Sequence, residues 1–368
     1  MFTIRMYSKA DMTKGHGVLS AHDEQVALIK NYLPDDFKIA ENGSLSCQLN
    51  HFHTINPEFL LKAWIGRIKG IKNIGYVHFL PETLKNSIQL PRPIQYLFYK
   101  YVLFFYRQMD ALVTVNPYFI DVLESYGISR DKVTYIPNVV SSKKFFRMAP
   151  GEKAKARSHF HLHKNGFTVL CAGQLQKRKG VLDFVQMAMQ MPQIHFVWAG
   201  DFSFGKISKD YELIRRVVSN PPKNLTFLGL VDHEEMNLLY NACDMMLLPS
   251  YEELFPMTVL EAMSCGLPIV VRKLEIYDNI LFDFVQYART TPEFIEYIRH
   301  LSEDPDFYSH CCRQSKAGSI KYSENAVANQ WRKYYTAIIT GCSAQQTLTS
   351  LQQQNSYTKA CASSRSVL

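Results

Sequence analysis

Long apolar runs are missing from this 368-residue chain. No stretch approaches the roughly 18 residues that a membrane span needs, so no transmembrane helix is predicted. A secretory leader is not expected either. The opening MFTIRMYSKAD alternates like a strand and lacks a basic region followed by an apolar core. The eight cysteines show no disulfide-framework spacing, and several sit inside apolar runs. They read as reduced structural residues of a cytosolic protein. Metal-ligand spacing is absent as well, so no metal is expected.

What is present is ordinary globular composition, 47% hydrophobic and 20% charged, with a high aromatic content of 13%. The length predicts two domains, each large enough for its own core. The net charge of +8 is unevenly placed. Between Asn56 and Asp110, eight cations (Lys62, Arg67, Lys69, Lys72, Lys85, Arg92, Lys100, Arg107) face three anions (Glu58, Glu82, Asp110) and are interleaved with aromatics. No nucleic-acid recognition motif accompanies this patch, so nucleic acid is not an expected partner. Basic amphipathic helices with aromatics also mark membrane-surface elements. Lys69, Lys72, Arg92 and Lys100 are the candidate contacts to an anionic membrane surface or its acceptor.

The first half alternates strand and helix, with strands expected at 2–8, 37–41, 49–54, 73–79, 111–116 and 133–137. A basic polar stretch follows from Ser141 to Lys164, and a second series starts at 167, continuing near 194–199, 225–230, 245–249 and 269–272. Helical patterns run from Pro292 to about Ile339. Strand–helix alternation in both halves implies two doubly wound parallel sheets. The expected division is 1–150, 151–322, a C-terminal helix at 323–340 packing back toward the first domain, and a disordered Ser/Gln/Thr-rich tail at 341–368.

The most informative stretch is Pro249 to Gly266, reading PSYEELFPMTVLEAMSCG. It follows the buried-strand pattern Met245-Met246-Leu247-Leu248, turns at Phe255-Pro256 into a helix, and stops at Cys265-Gly266-Leu267-Pro268. Glu253 on the loop and Glu261 in the helix both face the carboxyl end of the sheet, where open α/β sheets bind ligands. The helix start at Phe255, Pro256, Met257 and Thr258 is a candidate phosphate site. Lys177-Arg178-Lys179-Gly180 opens another helix after a strand, and Lys14-Gly15-His16-Gly17 follows the first strand. That second loop lets the backbone approach a phosphate or sugar, or is an ordinary turn.

The ordered series Gly173-Gln174-Leu175, Lys179-Gly180, Ala199-Gly200-Asp201, Phe227-Leu228-Gly229, Asp244 through Ser250, and the Glu253/Glu261 pair resembles the retaining GT-B glycosyltransferases of family 4. The likeness runs over roughly residues 2–339. It implies an α/β fold of two Rossmann-like domains facing a central cleft, and transfer from a UDP-sugar without metal or other cofactor. Carried onto this chain, Glu253 binds donor-sugar hydroxyls, Glu261 the ribose, Lys179 the diphosphate, and the backbone around Leu228 the uracil. His78 sits near the reacting carbon. The family's arginine after the glycine is here Gln174, and Arg178 is the candidate replacement. His51-Phe52-His53-Thr54, Gly75 through Leu84 and Val115-Asn116-Pro117 resemble most the diglycosyldiacylglycerol synthases of Gram-positive bacteria. That implies galactosyl or glucosyl transfer to monoglucosyldiacylglycerol by a cytoplasmic enzyme attached peripherally to the inner membrane face. Other acceptors within the family, an epimerase on the same fold, and an inactive partner subunit are the rival readings.

Overall fold

The computed structural model describes residues 1–9, 17–43, 46–78, 80, 91–202 and 210–341. The first sheet is built from β1 (Phe2–Tyr7), β2 (Phe37–Glu41), β3 (Leu49–Phe52), β4 (Lys72–Val77), β5 (Ala111–Thr114) and β6 (Val133–Tyr135). Its order is β2-β1-β3-β4-β5-β6, with every pairing parallel. The second contains β7 (Thr168–Ala172), β8 (His195–Ala199), β9 (Leu225–Gly229), β10 (Met245–Leu248), β11 (Ile269–Arg272) and β12 (Gln286–Ala288). It is also parallel, in the order β12-β11-β10-β7-β8-β9. Strands covered on both faces must be apolar throughout. Accordingly β5, β7, β10 and β11 are buried along their whole length.

In the first half the helices are α1 (Gly17–Tyr32), α2 (Pro57–Ile68), α3 (Arg92–Arg107) and α4 (Tyr118–Ser125). In the second they are α5 (Lys153–His159), α6 (Val181–Gln190), α7 (Tyr211–Ser219), α8 (Met236–Ala242), α9 (Met257–Ser264), α10 (Thr291–Glu303), α11 (Pro305–Lys321) and α12 (Glu324–Thr340). α2 and α3 cover one face of the first sheet through Phe59, Ala63, Val102, Phe105 and Tyr106. The other face joins a cluster that runs from Ile4 and Val113 through Val140 and Phe145 to Leu170, Met246 and Leu260. The two halves therefore share a continuous apolar seam below the cleft.

The pattern expected from Pro292 to Ile339 is three helices. Asp304 accepts from the backbone N–H groups of Asp306 and Phe307 and so starts α11, while Ser323 precedes α12. α12 crosses back to the first sheet. Its Trp331, Tyr334 and Tyr335 are fully buried, Arg332 meets Asp36 at 2.8 Å, and the Tyr335 hydroxyl meets Gln25 and His51, each at 2.8 Å. β12 was not among the expected strands, because Gln286-Tyr287-Ala288 is partly exposed and carries no apolar run. β3 stops at Phe52, where Thr54 turns to donate to Asn56 at 2.7 Å. The tail from 342 lies outside the described residues.

Candidate active site

Buried β10 delivers the chain at Pro249 to the edge of the second sheet, and α9 begins eight residues later. Opposite it, the short 3-10 turn Lys177–Lys179 is pressed against the Pro249 carbonyl. Gly180 makes that contact possible. Its φ is +76°, and a Cβ there would lie 2.4 Å from the Pro249 oxygen. The result is that Lys179 Nζ and Glu253 Oε1 are 2.6 Å apart, with side chains only 16% and 8% exposed. Burial lowers the Lys179 pKa, and Glu253 works against that loss. Arg178 turns instead to the loop backbone. Its Nη1 donates to the Glu252 carbonyl at 3.3 Å, and its own carbonyl accepts from Tyr251 N–H at 2.7 Å.

Glu261 projects from α9 and is buried. It accepts from the Tyr240 hydroxyl at 2.7 Å, and His233 Nε2 stands 3.6 Å from its other oxygen. That contact raises the His233 pKa against the opposing effect of burial. Buried polar atoms with no protein partner lie on the segments that lead into these loops, namely Gln174 Oε1, both ends of the Gln176 amide and Ser250 Oγ, and Glu253 acts on a further one, the Tyr277 hydroxyl. Unpaired buried groups of this kind cost about 1–3 kcal/mol each, so they leave hydrogen-bonding capacity for a polar ligand. Pro256 has no N–H. The donors at the start of α9 are therefore those of Met257 and Thr258, preceded by Phe255, and no side chain caps that end.

Facing this from the first domain, His78 directly follows β4 and is 8% exposed. Its ring lies 4.1 Å from that of Tyr76 at an interplanar angle of 2°, and its Nε2 is 3.5 Å from His53 Nδ1. His53 in turn packs on His22 and His51, with ring centroids 4.7 and 4.6 Å away. Burial pushes His78 down to about 3, helped by repulsion from His22, and holds His51 and His53 well below the usual histidine range. His78 is therefore a neutral imidazole at physiological pH, suited to hydrogen bonding rather than to carrying charge. The domains meet beside it: Asn138 Nδ2 donates to the Phe255 carbonyl at 3.0 Å.

Gly17 is the first residue of α1, and the Lys14-Gly15-His16 part of its loop lies outside the described residues. Leu228 is half-buried on β9 beside Gly229, whose carbonyl accepts from Gly200 N–H at 2.7 Å. The four surface cations are exposed but not gathered at one spot. Lys69 follows α2 and Lys72 opens β4, whereas Arg92 opens α3 at the opposite end of the sheet. A helix of this length spans about 24 Å. More coherent is an apolar face made by Leu61, Trp64, Ile65 and Ile68 on α2 and by Ile94, Leu97 and Phe104 on α3, all at least 40% exposed. Trp64 Nε1 links the two helices by donating to Gln108 at 3.2 Å.

Two family models match the chain in tandem: "Glycosyltransferase Family 4" over residues 38–144 and "Glycosyl transferases group 1" over 152–318. The α-galactosylglucosyldiacylglycerol synthase of Streptococcus pneumoniae is 41% identical over 332 residues, 90% of this chain and 88% of that protein. The chain is a family 4 glycosyltransferase. A second relative of this transferase, the processive diacylglycerol α-glucosyltransferase of Acholeplasma laidlawii, is 30% identical over 57% of the chain and 62% of its own length. Among solved structures, Anabaena HepE in complex with UDP and glucose superposes with a TM-score of 0.73 at 15% identity, covering 92% of this chain and all of that one. Sucrose-phosphate synthase of Thermosynechococcus elongatus gives 0.73 at 16% identity, over 93% and 100%. The fold of the transferase is GT-B, with the two parallel sheets facing one cleft. Tyr240 and His233, which hold Glu261, carry no motif and were not legible in the sequence.

Proposed function

We propose that this transferase moves galactose, or glucose, from a UDP-sugar to monoglucosyldiacylglycerol with retention of configuration, producing a diglycosyldiacylglycerol at the inner face of the membrane. The observation that carries the reading is the likeness to the pneumococcal synthase, which extends over the acceptor half as well as the donor half. The exposed apolar residues of α2 and α3 support it, because apolar surface accompanied by the exposed cations Arg67 and Lys100 suits an anionic bilayer. Lys69, Lys72 and Arg92 add exposed cations elsewhere on the same half. Attachment in this reading is peripheral, and no helix among the described residues is long and apolar enough to cross a membrane.

Each candidate residue then has a role that follows from its position. Glu261, held by Tyr240, receives the ribose hydroxyls. Glu253 orients the donor hexose, and Lys179 beside it balances the diphosphate together with the N–H groups of Met257 and Thr258. Arg178 stiffens the loop and lies within a residue of the same oxygens. Leu228 and the adjacent β9 backbone frame the base, and Gly17 opens the opposing helix. Neutral His78 contacts the sugar near the reacting carbon. The bond to the nucleotide breaks as the acceptor oxygen approaches on the same face, and the departing β-phosphate takes the acceptor proton. Fixed cations and amides stabilise the developing phosphate charge, so the reading requires no metal. Domain closure excludes water from the donor.

The test is to incubate the purified chain with labelled UDP-galactose or UDP-glucose and vesicles containing monoglucosyldiacylglycerol. Label entering the lipid phase is expected with one of the two donors. Label released only as free sugar would defeat the acceptor assignment.

A further inference from the structure

Asn116 and Asn138 lie just beyond β5 and β6 at the cleft edge of the first sheet, and both side chains are buried. Nδ2 of Asn116 donates to the carbonyls of Leu254 and Ile276, each at 2.8 Å, while its Oδ1 accepts from Tyr118 N–H at 3.0 Å. Asn138 Nδ2 donates to the Phe255 carbonyl, and its Oδ1 faces the Tyr76 hydroxyl at 3.5 Å. Tyr76 is the residue on which His78 is stacked. Two carbonyls held in this way, those of Leu254 and Phe255, are the pair that immediately follows Glu253. The loop carrying the donor-side carboxylate is thus anchored by the acceptor domain, through side chains more than a hundred residues away.

We infer that Asn116 and Asn138 are positioning residues that set the donor loop from the opposite domain and thereby aim Glu253 at the donor sugar. The inference rests on the assignment of Glu253 to the hexose made above. Only a carboxamide fits Asn116: both of its Nδ2 hydrogens are used, and its oxygen serves a third partner. An aspartate would set a carboxylate 2.8 Å from two carbonyl oxygens, with no hydrogen to share. The ribose-side residue, Glu261, sits on α9 and is held by Tyr240 within its own domain, so that contact does not pass through the clamp. Coupling of that kind makes the donor loop complete only when the two halves are docked, which ties sugar alignment to closure of the cleft.

The prediction separates nucleotide from sugar. In Asn116→Asp and Asn138→Ala, kcat for transfer should fall roughly tenfold to a hundredfold, the scale of a misplaced reacting group, while UDP affinity by calorimetry falls by much less because Tyr240 still holds Glu261. Asn116→Ser, which keeps one donor, should fall between parent and Asn116→Asp, and it serves as the readout if the aspartate variant does not fold. Glu253→Gln is measured alongside. If Glu253→Gln is impaired and the folded asparagine variants turn over at the parental rate, or lose UDP affinity in step with kcat, the positioning role is wrong while the sugar assignment stands. Parental turnover in Glu253→Gln would overturn both.

Discussion

Acidification should destabilise this transferase through its buried histidines. His51, His53 and His78 are enclosed by Tyr76, Trp331 and Tyr335, and His53 Nε2 and His51 Nε2 have no protein partner. In the folded state His78 titrates near 3, against an ordinary value of 6.5. Below 6.5 the unfolded chain therefore binds a proton that the folded chain refuses. Stability is complete above 6.5 and is lost as pH falls toward 3. At pH 5 the chain is 1.5 units into that window, so His78 alone removes about 2 kcal/mol at 1.36 kcal/mol per unit. His51 and His53 act in the same direction. His233 acts in the opposite one, since Glu261 raises its pKa and its contribution is present at low pH and lost as pH rises. The neutral cluster outnumbers it. Against a typical total of about 5–15 kcal/mol, a fall in Tm of several degrees between pH 7 and pH 5 is expected. Scanning fluorimetry across that range, repeated on His53→Gln, measures it; the variant should show a shallower fall. A flat Tm from pH 7 to 5 would refute the neutral burial of the cluster.

Truncating Glu253 or Lys179 to Ala should lower transfer about 10²–10³-fold while leaving the circular dichroism spectrum unchanged, and a purified variant with near-parental turnover would remove that residue from the site. Tyr240→Phe deletes the 2.7 Å bond to buried Glu261 and should weaken UDP binding by about 1–2 kcal/mol, measured by calorimetry, with kcat at saturating donor little changed. Replacing Trp64 and Leu97 together by Ser should abolish co-sedimentation with anionic vesicles, because each large apolar side chain contributes about 1.5–3 kcal/mol on burial. Replacing Lys69, Lys72, Arg92 and Lys100 by Ser should weaken the same binding less, and mainly at low salt, because the four are exposed and not gathered at one spot.

Strands buried on both faces were easy to find because each is a short continuous apolar run, as in Met245–Leu248. The strand–turn–helix around Glu253 and Glu261 was legible for the same reason, since Pro256 and Gly266 punctuate it. The sequence could not show that Lys179 and Glu253 form an ion pair, because 74 residues separate them and the two segments meet only in the folded chain, through the Gly180–Pro249 contact and the hydrogen bonds of Arg178. Nor could it show the histidine cluster. His22 lies on α1, His51 and His53 at the end of β3, and His78 beyond β4, so the group exists only once the first sheet has its order. The aromatic run of α3 divides between the two environments that its periodicity allows: Phe105 and Tyr106 are buried, whereas Leu97 and Phe104 are exposed. Surface cations were the less informative half of the membrane signal. The apolar stripe at Leu61, Trp64, Ile65 and Ile68 has the i, i+3, i+4, i+7 spacing of an ordinary core face and revealed itself only by pointing outward.

The lipid product tests the proposed activity most directly. Proton NMR of the lipid made by the purified chain from its UDP-hexose donor and monoglucosyldiacylglycerol vesicles reads both the acceptor and the stereochemistry. A diglycosyldiacylglycerol whose new anomeric proton shows the small α coupling is predicted. A β-linked hexose, or a donor consumed without any new glycolipid, would contradict it.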